Sequence, residues 1–360
     1  MTADTVGGVW TYALDLVRAL AGISSGGQVP HPGEFQVMLA TMGAPVRPEQ
    51  RAEAALIPNL TLRESAFKLE WMDDPWDDIE RAREWLLALE REFAPDIVHL
   101  NGYAHGSLPF RAPALAVAHS CVLSWWQAVL GEDAPSAWDC YRSRVTAGLR
   151  GADRVVAPTY AMLDSVRAHY GDIDGAVIYN GRDPNLYIPR AKEPMVLTAG
   201  RLWDDAKNVG ALVEIAPQLP APVCVAGDCD APDGGGRREL TNVQPLGRLT
   251  PPALAGWMGR AAIYALPARY EPFGLSALEA ALCGCALVLG DIPSLREVWG
   301  DTALFVPPGD PAELLRALRS LLDDPARREA LAERSRERAW RYTAERMAAG
   351  YAGVYREMLA

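Results

Sequence analysis

Two glutamates, Glu271 and Glu279, sit in the most chemically informative stretch of this 360-residue chain, which reads R-Y-E-P-F-G-L-S-A-L-E-A-A-L-C-G-C from Arg269 to Cys285. The apolar run 262–266 before it reads as a strand, the turn carries Glu271, Pro272 and Gly274, and 275–282 reads as a helix carrying Glu279. Seven residues separate the carboxylates, so they do not share a helix face: Glu271 precedes the helix and Glu279 lies about a turn inside it. The backbone N–H groups of Phe273, Gly274, Leu275 and Ser276 fall between them, at a helix start whose orphan amides favour anionic groups. Two acceptor side chains beside a phosphate-friendly turn suit a ligand with many hydroxyls and a phosphate, and a sugar nucleotide has both. Paired glutamates at such a turn are also a common helix-end charge pattern, so the rest of the chain has to support the reading.

The elements that would position these residues follow from apolar runs. Strands are expected at 195–199, 223–226, 242–246, 262–266, 286–289 and 303–306, and helices at 208–218, 252–260, 275–282 and 311–322. Continuous apolar strands interleaved with helices predict a parallel sheet covered on both faces, with ligands beyond the carboxyl ends of its strands. In the first half, helices are expected at 9–21 and 77–93 and strands at 35–40, 97–100, 115–118, 154–157 and 175–178. Almost no strand precedes Gly7-Gly8, which leads to the expectation that the chain's start is truncated. Gly181, Pro184, Pro189 and Pro194 break regular structure and place a domain boundary within 180–194. The tail 325–360 reads as helical throughout, with six arginines and three glutamates between Pro325 and Arg341 as a solvated face. Met347, Tyr351, Val354, Tyr355 and Met358 form an apolar stripe within 343–359.

Composition narrows the class. The length suits two ordinary domains, and 49% apolar with 22% charged residues is the balance of a globular chain. A net charge of −11 argues against nucleic acid as the main partner. No apolar run reaches membrane-spanning length and the N-terminus has no signal-peptide pattern. Cys121, Cys140, Cys224, Cys229, Cys283 and Cys285 match no zinc-site spacing. Buried free thiols are expected, and with them a reducing, cytoplasmic location.

The E-x7-E stretch resembles the signature of glycosyltransferase family 4, and other elements extend the resemblance over most of the chain in order. Gly7-Gly8-Val9 is similar to the family's Gly-Gly loop at a helix start. Without a G-x-G-x-x-G pattern it counts against a dinucleotide-dependent dehydrogenase. Ala118-His119-Ser120 matches the family position where a histidine faces the donor sugar. Gly200-Arg201 through Lys207-Asn208 resembles the family's G-R…K-N element, in which arginine and lysine converge on a pyrophosphate. Gly227-Asp228 matches a glycine turn near the nucleotide, and Arg248-Leu249 precedes a helix against the base. Glu297 resembles part of a further family helix and reads as structural.

The resemblance implies a retaining hexosyltransferase of GT-B fold: α/β, with two Rossmann-like parallel-sheet domains facing a cleft. Residues 1–183 would form the acceptor-side domain and 184–342 the nucleotide-sugar domain, with a helix at about 343–360 packing back onto the first. It implies a nucleoside-diphosphate sugar as co-substrate and no cofactor or metal. Glu271, His119, Arg201 and Lys207 would be catalytic. Gly7, Gly8, Arg201, Lys207, Gly227, Arg248, Leu249, Phe273, Gly274, Leu275, Ser276 and Glu279 would hold the donor, Glu279 at the ribose and Glu271 at the hexose. Trp10, Tyr12, Asn101, Tyr103 and His105 are acceptor candidates, with Trp125 and Trp126 in neighbouring aromatic segments; His99 reads as structural. The partners are a sugar nucleotide and a hydroxyl-bearing acceptor. Peripheral membrane contact and a lipid-linked acceptor stay open, although 73–92 is too acidic for tight anchoring to anionic lipid. Two other readings also stay open: a catalytically silent sugar-nucleotide-binding protein, which the joint presence of Glu271, Glu279, Arg201, Lys207 and His119 argues against, and a GT-B-shaped sugar-nucleotide epimerase, which would lack E-P-F-G-L-S-A-L-E.

Overall fold

Runs of buried Val, Ile, Leu and Ala set the architecture. A computed structural model describes residues 1–23, 35–230 and 240–360, and these separate into two units. Unit 1 takes Met1–Gln127, Glu132–Gly181 and Ala344–Ala360; unit 2 takes Ala128–Gly131 and Arg182–Thr343.

Unit 1 runs β1 (Thr2–Asp4), α1 (Gly8–Ala21), β2 (Val37–Met42), α2 (Pro48–Ala55), β3 (Leu60–Glu64), α3 (Trp76–Phe93), β4 (Val98–Leu100), β5 (Ala114–Val117), α4 (Val122–Leu130, whose end from Ala128 counts with unit 2), α5 (Asp139–Gly151), β6 (Arg154–Ala157), α6 (Tyr160–Tyr170) and β7 (Gly175–Val177). Its strands are parallel and form two hydrogen-bonded sets, β1-β2-β3 and β4-β5-β6-β7. Asn101 bridges the sets: its N–H reaches Thr2 Oγ1 at 2.8 Å and its Nδ2 donates to the Thr2 carbonyl at 2.7 Å. The three residues of β1 pair in register with Ala40, Thr41 and Met42 of β2. Beyond them lies a cavity of about 610 Å³ lined by Phe35, Val37, Leu86, Phe93 and Tyr355.

Unit 2 runs β8 (Glu193–Ala199), α7 (Val209–Ile215), β9 (Val223–Ala226), β10 (Gln244–Gly247), α8 (Pro251–Arg260), β11 (Ala261–Leu266), α9 (Leu275–Leu282), β12 (Ala286–Gly290), α10 (Pro293–Trp299), β13 (Leu304–Val306), α11 (Pro311–Asp323) and α12 (Pro325–Ala339). Its parallel sheet has the order β10-β9-β8-β11-β12-β13. All six residues of β11 and all five of β12 are buried, as strands covered on both faces must be. On α11 the buried residues Leu314, Ala317, Leu318 and Leu321 recur at helical spacing and face the core. Asp310 and Asp324 cap α11 and α12 by accepting the amides of Glu313 and Arg327, each followed by a proline at the first helical turn.

The tail differs from the expected continuous helix. It breaks after α12, and α13 (Ala344–Leu359) begins where the chain leaves unit 2 for unit 1. Arg182 pairs with the break: its amide bonds the Tyr342 carbonyl, and it forms a parallel bridge with Thr343. Met347, Ala348, Tyr351, Ala352 and Tyr355 of α13 are buried with Trp10, Tyr12 and Leu16 of α1 in the unit 1 core. Tyr351 is fully buried, its ring 6.0 Å from Tyr12 and 5.2 Å from His99. Tyr351→Ala is therefore expected to cost about 3–5 kcal/mol, read by denaturant unfolding. A loss below about 1 kcal/mol, the level of a surface change, would show that α13 is not part of this core.

Candidate functional site

In unit 2 the chain runs outward from β8 through β9 to β10 and then returns to β11 on the other side of β8. Such a reversal leaves a crevice beyond the carboxyl ends of the two central strands. The segments leaving β8, β9 and β11 are tied together there. Tyr264, fully buried on β11, donates from its hydroxyl to the Ala199 carbonyl at 3.1 Å and receives the Ala199 amide at 3.2 Å. A Cβ on Gly227 (φ 140°) would stand 1.8 Å from the Gly200 carbonyl oxygen, so this turn requires glycine because backbone packs against backbone. Asn208, at φ 54°, donates to the carbonyls of Pro267 (2.9 Å) and Pro308 (2.8 Å), and the Arg269 amide bonds the Ala206 carbonyl at 2.8 Å.

Ion pairs gather at this end of the sheet. Lys207 Nζ lies 2.6 Å from Glu271 Oε2, both side chains about 15% exposed. The other carboxylate oxygen of Glu271 accepts the amides of Gly274 at 3.0 Å and Phe273 at 3.5 Å, and Ser294 Oγ donates to the Glu271 carbonyl at 2.5 Å. Arg182 Nε lies 3.0 Å from Glu279 Oε1, at 6% and 12% side-chain exposure. Arg201 pairs with Asp204 at 2.8 Å while staying 39% exposed, with its guanidinium over the Trp203 ring.

Each expected donor residue of unit 2 therefore has a defined place. Arg201, Lys207, Glu271, Gly274, Leu275 and Ser276 gather at the ends of β8 and β11 and the start of α9. The amides of Phe273 and Gly274 point at Glu271 rather than outward, so Leu275 and Ser276 are the helix-start donors that Glu271 does not reach. The Phe273 ring is buried edge-on against Tyr342. Gly227 packs on Gly200, and Arg248 is half exposed beside Asp228 at 3.5 Å, with Leu249 half-buried. Glu297 offers its carbonyl to Arg338, as a structural residue does. Sequence reasoning missed Arg182, Asp204 and Tyr264, and it gave Asn208 as part of the K-N element without its carbonyl partners.

Unit 1 holds His119 and the glycine turn. Gly7 has φ 96° and Gly8 opens α1. His119 is partly exposed; its Nε2 bonds Asn101 Oδ1 at 2.8 Å and its ring meets Tyr12 edge-on at 4.4 Å. The acceptor expectation is corrected for most of its members, because aromatic faces that are packed cannot stack on a sugar. Trp10, Tyr12, Tyr103 and His105 are at most 5% exposed. Trp10 bonds Glu53, Tyr103 bonds the Ser120 carbonyl, and His105 bonds the Ile79 carbonyl. Asn101 is committed to Thr2, His99 and His119. Trp125 and Trp126 are partly exposed and pack edge-on at 6.1 Å.

Of the cysteines, Cys121, Cys224, Cys283 and Cys285 are buried free thiols, while Cys140 is exposed. Burial pushes the Cys283 thiol up to about 12 and Cys285 to about 11, so neither is a ready nucleophile. Among the described residues no helix is long and apolar enough to cross a membrane, and no three His, Cys, Asp or Glu are grouped as metal ligands.

Two outcomes test these contacts. Lys207→Ala leaves a mostly buried carboxylate without its cation and is expected to destabilise unit 2 by about 1–3 kcal/mol. Adding Glu271→Ala should cost less than the sum of the single changes, and strict additivity in denaturant unfolding would remove the coupling. Burial pulls His119 down to about 3, and burial first, then the Met1 ammonium and His119, pulls His99 well below its usual value. Both are neutral when folded but protonate near 6.5 when unfolded. The stabilisation from neutral His119 is present above pH 6.5 and is lost as pH falls toward 3, at up to about 1.4 kcal/mol per pH unit, and His99 acts in the same direction. His119→Asn should flatten the fall in stability between pH 6 and 4, and an unchanged slope would contradict the assignment.

Comparison with known proteins agrees with this geometry. The profile described as Glycosyltransferase Family 4 matches residues 6–186, half of the chain, and that described as Glycosyl transferases group 1 matches residues 193–324. A glycogen synthase of Mycobacterium tuberculosis is 28% identical over 283 residues, 70% of this chain but 66% of its own length. D-inositol 3-phosphate glycosyltransferase 1 of Catenulispora acidiphila is 29% identical over 303 residues, 71% of this chain and 72% of its own. Among solved structures, sucrose-phosphate synthase from Thermosynechococcus elongatus superposes with TM-score 0.79 at 22% identity over 98% of this chain and 94% of that one. HepE of Anabaena, solved with UDP-glucose, gives 0.73 at 16% identity over 97% and 95%. The shared architecture is GT-B, two Rossmann-like parallel-sheet domains. With both halves matched in order and the E-x7-E glutamates placed around a helix start, the chain belongs to glycosyltransferase family 4.

Proposed function

We propose that this protein moves a hexose from a nucleoside-diphosphate sugar to a hydroxyl acceptor, with retained anomeric configuration and without a metal ion, in the cytoplasmic synthesis of a glycan, glycolipid or glycoconjugate. The observation that carries the reading is the gathering of Arg201, Lys207 and Glu271 around the start of α9, at the reversal point of a parallel sheet. The names of the relatives and the UDP-glucose in the HepE structure support it.

The chemistry follows from charge. As the bond from the sugar C1 to the diphosphate breaks, its electron pair goes to the leaving phosphate oxygen. Arg201 and Lys207 meet that charge, with the helix-start amides of Leu275 and Ser276. Donors fixed before the reaction contribute most because they need not reorganise. One ammonium proton of Lys207 is spent on Glu271, which leaves two for phosphate oxygens. Glu271 accepts from Lys207 and two amides, so it is an orienting acceptor for a hexose hydroxyl rather than an attacking nucleophile. Glu279, fixed by Arg182, accepts from the ribose. The acceptor oxygen bonds C1 on the face the diphosphate leaves, and its proton passes to the departing phosphate oxygen, so atoms and charge balance.

Incubation with UDP-, GDP- and ADP-sugars, following nucleotide release with and without acceptors, tests the reading and identifies the donor. Glu271→Ala should lower transfer by roughly 100-fold with nucleotide affinity nearly kept. Arg201→Ala should weaken both, and chelator should change neither. Wild-type transfer by both variants would end the assignment, and sugar-nucleotide binding without transfer to any acceptor would favour the silent binding protein.

A further inference from the structure

A run of side-chain hydrogen bonds in unit 1 joins the C-terminal helix α13 to His119. Tyr355 Oη lies 2.6 Å from His99 Nδ1, and His99 Nε2 lies 3.1 Å from Asn101 Oδ1. His119 Nε2 lies 2.8 Å from that same oxygen. The orientation of the Asn101 amide is set independently of the histidines, because its Nδ2 donates to the Thr2 carbonyl at 2.7 Å. The atom turned toward both imidazoles is therefore Oδ1, which can only accept. Its two lone pairs suffice for two donors, so both Nε2 atoms carry protons.

A neutral imidazole has one N–H, and the remaining assignments follow from that. His99 Nδ1 is an acceptor, filled by the Tyr355 hydroxyl. The Tyr12 hydroxyl, 3.4 Å from His99 Nε2, is a second and longer acceptor of that nitrogen's proton. His119 Nδ1 is likewise an acceptor, and among the described residues no protein group bonds it. An aspartate at 101 would draw protons onto both rings and turn every ring nitrogen into a donor. The neutral amide keeps one acceptor nitrogen on each.

We propose that Asn101 is a positioning residue that fixes His119 in its Nε2–H tautomer and thereby presents Nδ1 as a hydrogen-bond acceptor for a hydroxyl of the bound sugar. The tautomer stands on unit 1 alone; that the bonded group is a sugar hydroxyl rests on the reading under Proposed function. Asn101 is thus a support for the site histidine rather than a contact for the acceptor substrate.

Nitrogen-15 labelling of histidine in the full chain, read through two- and three-bond proton–nitrogen couplings, reports the tautomer directly, with His119→Asn and His99→Asn spectra to assign the signals. Wild-type His119 should show a protonated Nε2 and a lone-pair Nδ1, with His99 the same. In Asn101→Ala, His119 should become a mixture of tautomers, and transfer should fall about tenfold in kcat with KM for the sugar nucleotide little changed, the scale of one misplaced hydrogen bond. The wild-type spectrum needs no variant to fold. A proton on His119 Nδ1, or an unchanged His119 signal in Asn101→Ala, overturns the proposal even in a protein that transfers sugar. Failure of the wild-type protein to bind any sugar nucleotide overturns the identity of the hydroxyl and the functional reading, and leaves the tautomer measured.

Discussion

The carboxylate of Glu271 is the constraint on which the arrangement of unit 2 depends. One oxygen holds Lys207, 64 residues earlier in the chain, and the other closes the turn in front of α9. The carbonyl of the same residue receives Ser294 from α10. Three segments that leave different strands are thereby given one relative position. Fixing surface segments costs conformational entropy, about 1–2 kcal/mol for each ordered residue. A mostly buried ion pair returns little of this as net stability, because desolvation of both partners offsets their attraction. What the pair secures is geometry, with an ammonium and a helix start held in place before any ligand arrives.

The two units keep polar groups near their candidate sites by different means. Unit 2 uses opposite charges with partial exposure: Arg201 with Asp204, Lys207 with Glu271, Arg182 with Glu279. Unit 1 uses neutral groups, with Tyr12, His99 and Tyr355 buried and the partly exposed Asn101 and His119 bonded or stacked against them. The contrast follows from desolvation. Burial disfavours a charge in the setting of His99, and it does the same to His119, so both rings stay neutral. At the open end of the unit 2 sheet these charges stand opposite partners of the other sign, with residual solvent around them. An anionic ligand suits the second environment, and a hydroxyl suits the first.

The parts legible in the sequence were those with local signals. The strands of unit 2 are continuous apolar runs, so β9 and α9 fall where expected and the others within a few residues. In unit 1 the pattern gave β6 in full, yet β3 and the helices α2, α4, α5 and α6 carried no run distinct enough to assign. The residue types of the site were legible because arginine, lysine and glutamate stand beside glycine turns. Their partnerships were not. Arg182 and Glu279, or Tyr264 and Ala199, are joined only by the folded chain, and no periodicity encodes a contact across such separations. The aromatic acceptor candidates failed for a related reason: Trp10, Tyr12 and Tyr103 have the composition of a sugar platform, and only packing shows that core neighbours cover their faces. The continuous tail helix failed where Tyr342 and Thr343 are drawn into pairing with Arg182, an interaction invisible in helical spacing.

Arg182 shows why a missed partner matters more than a missed element. Its backbone bonds Tyr342 and bridges Thr343, its guanidinium bonds the Tyr187 hydroxyl and lies over that ring, and its Nε faces Glu279. Residues 182 and 343 are also where the chain enters and leaves unit 2. One buried side chain thus joins both crossings to the second glutamate of the E-x7-E stretch. An arginine this buried is tolerated only when paired, and losing either partner would leave a charge in a poorly solvated place. Glu279 is therefore held by its own helix and also by a residue 97 positions earlier, where the chain enters this stretch of unit 2.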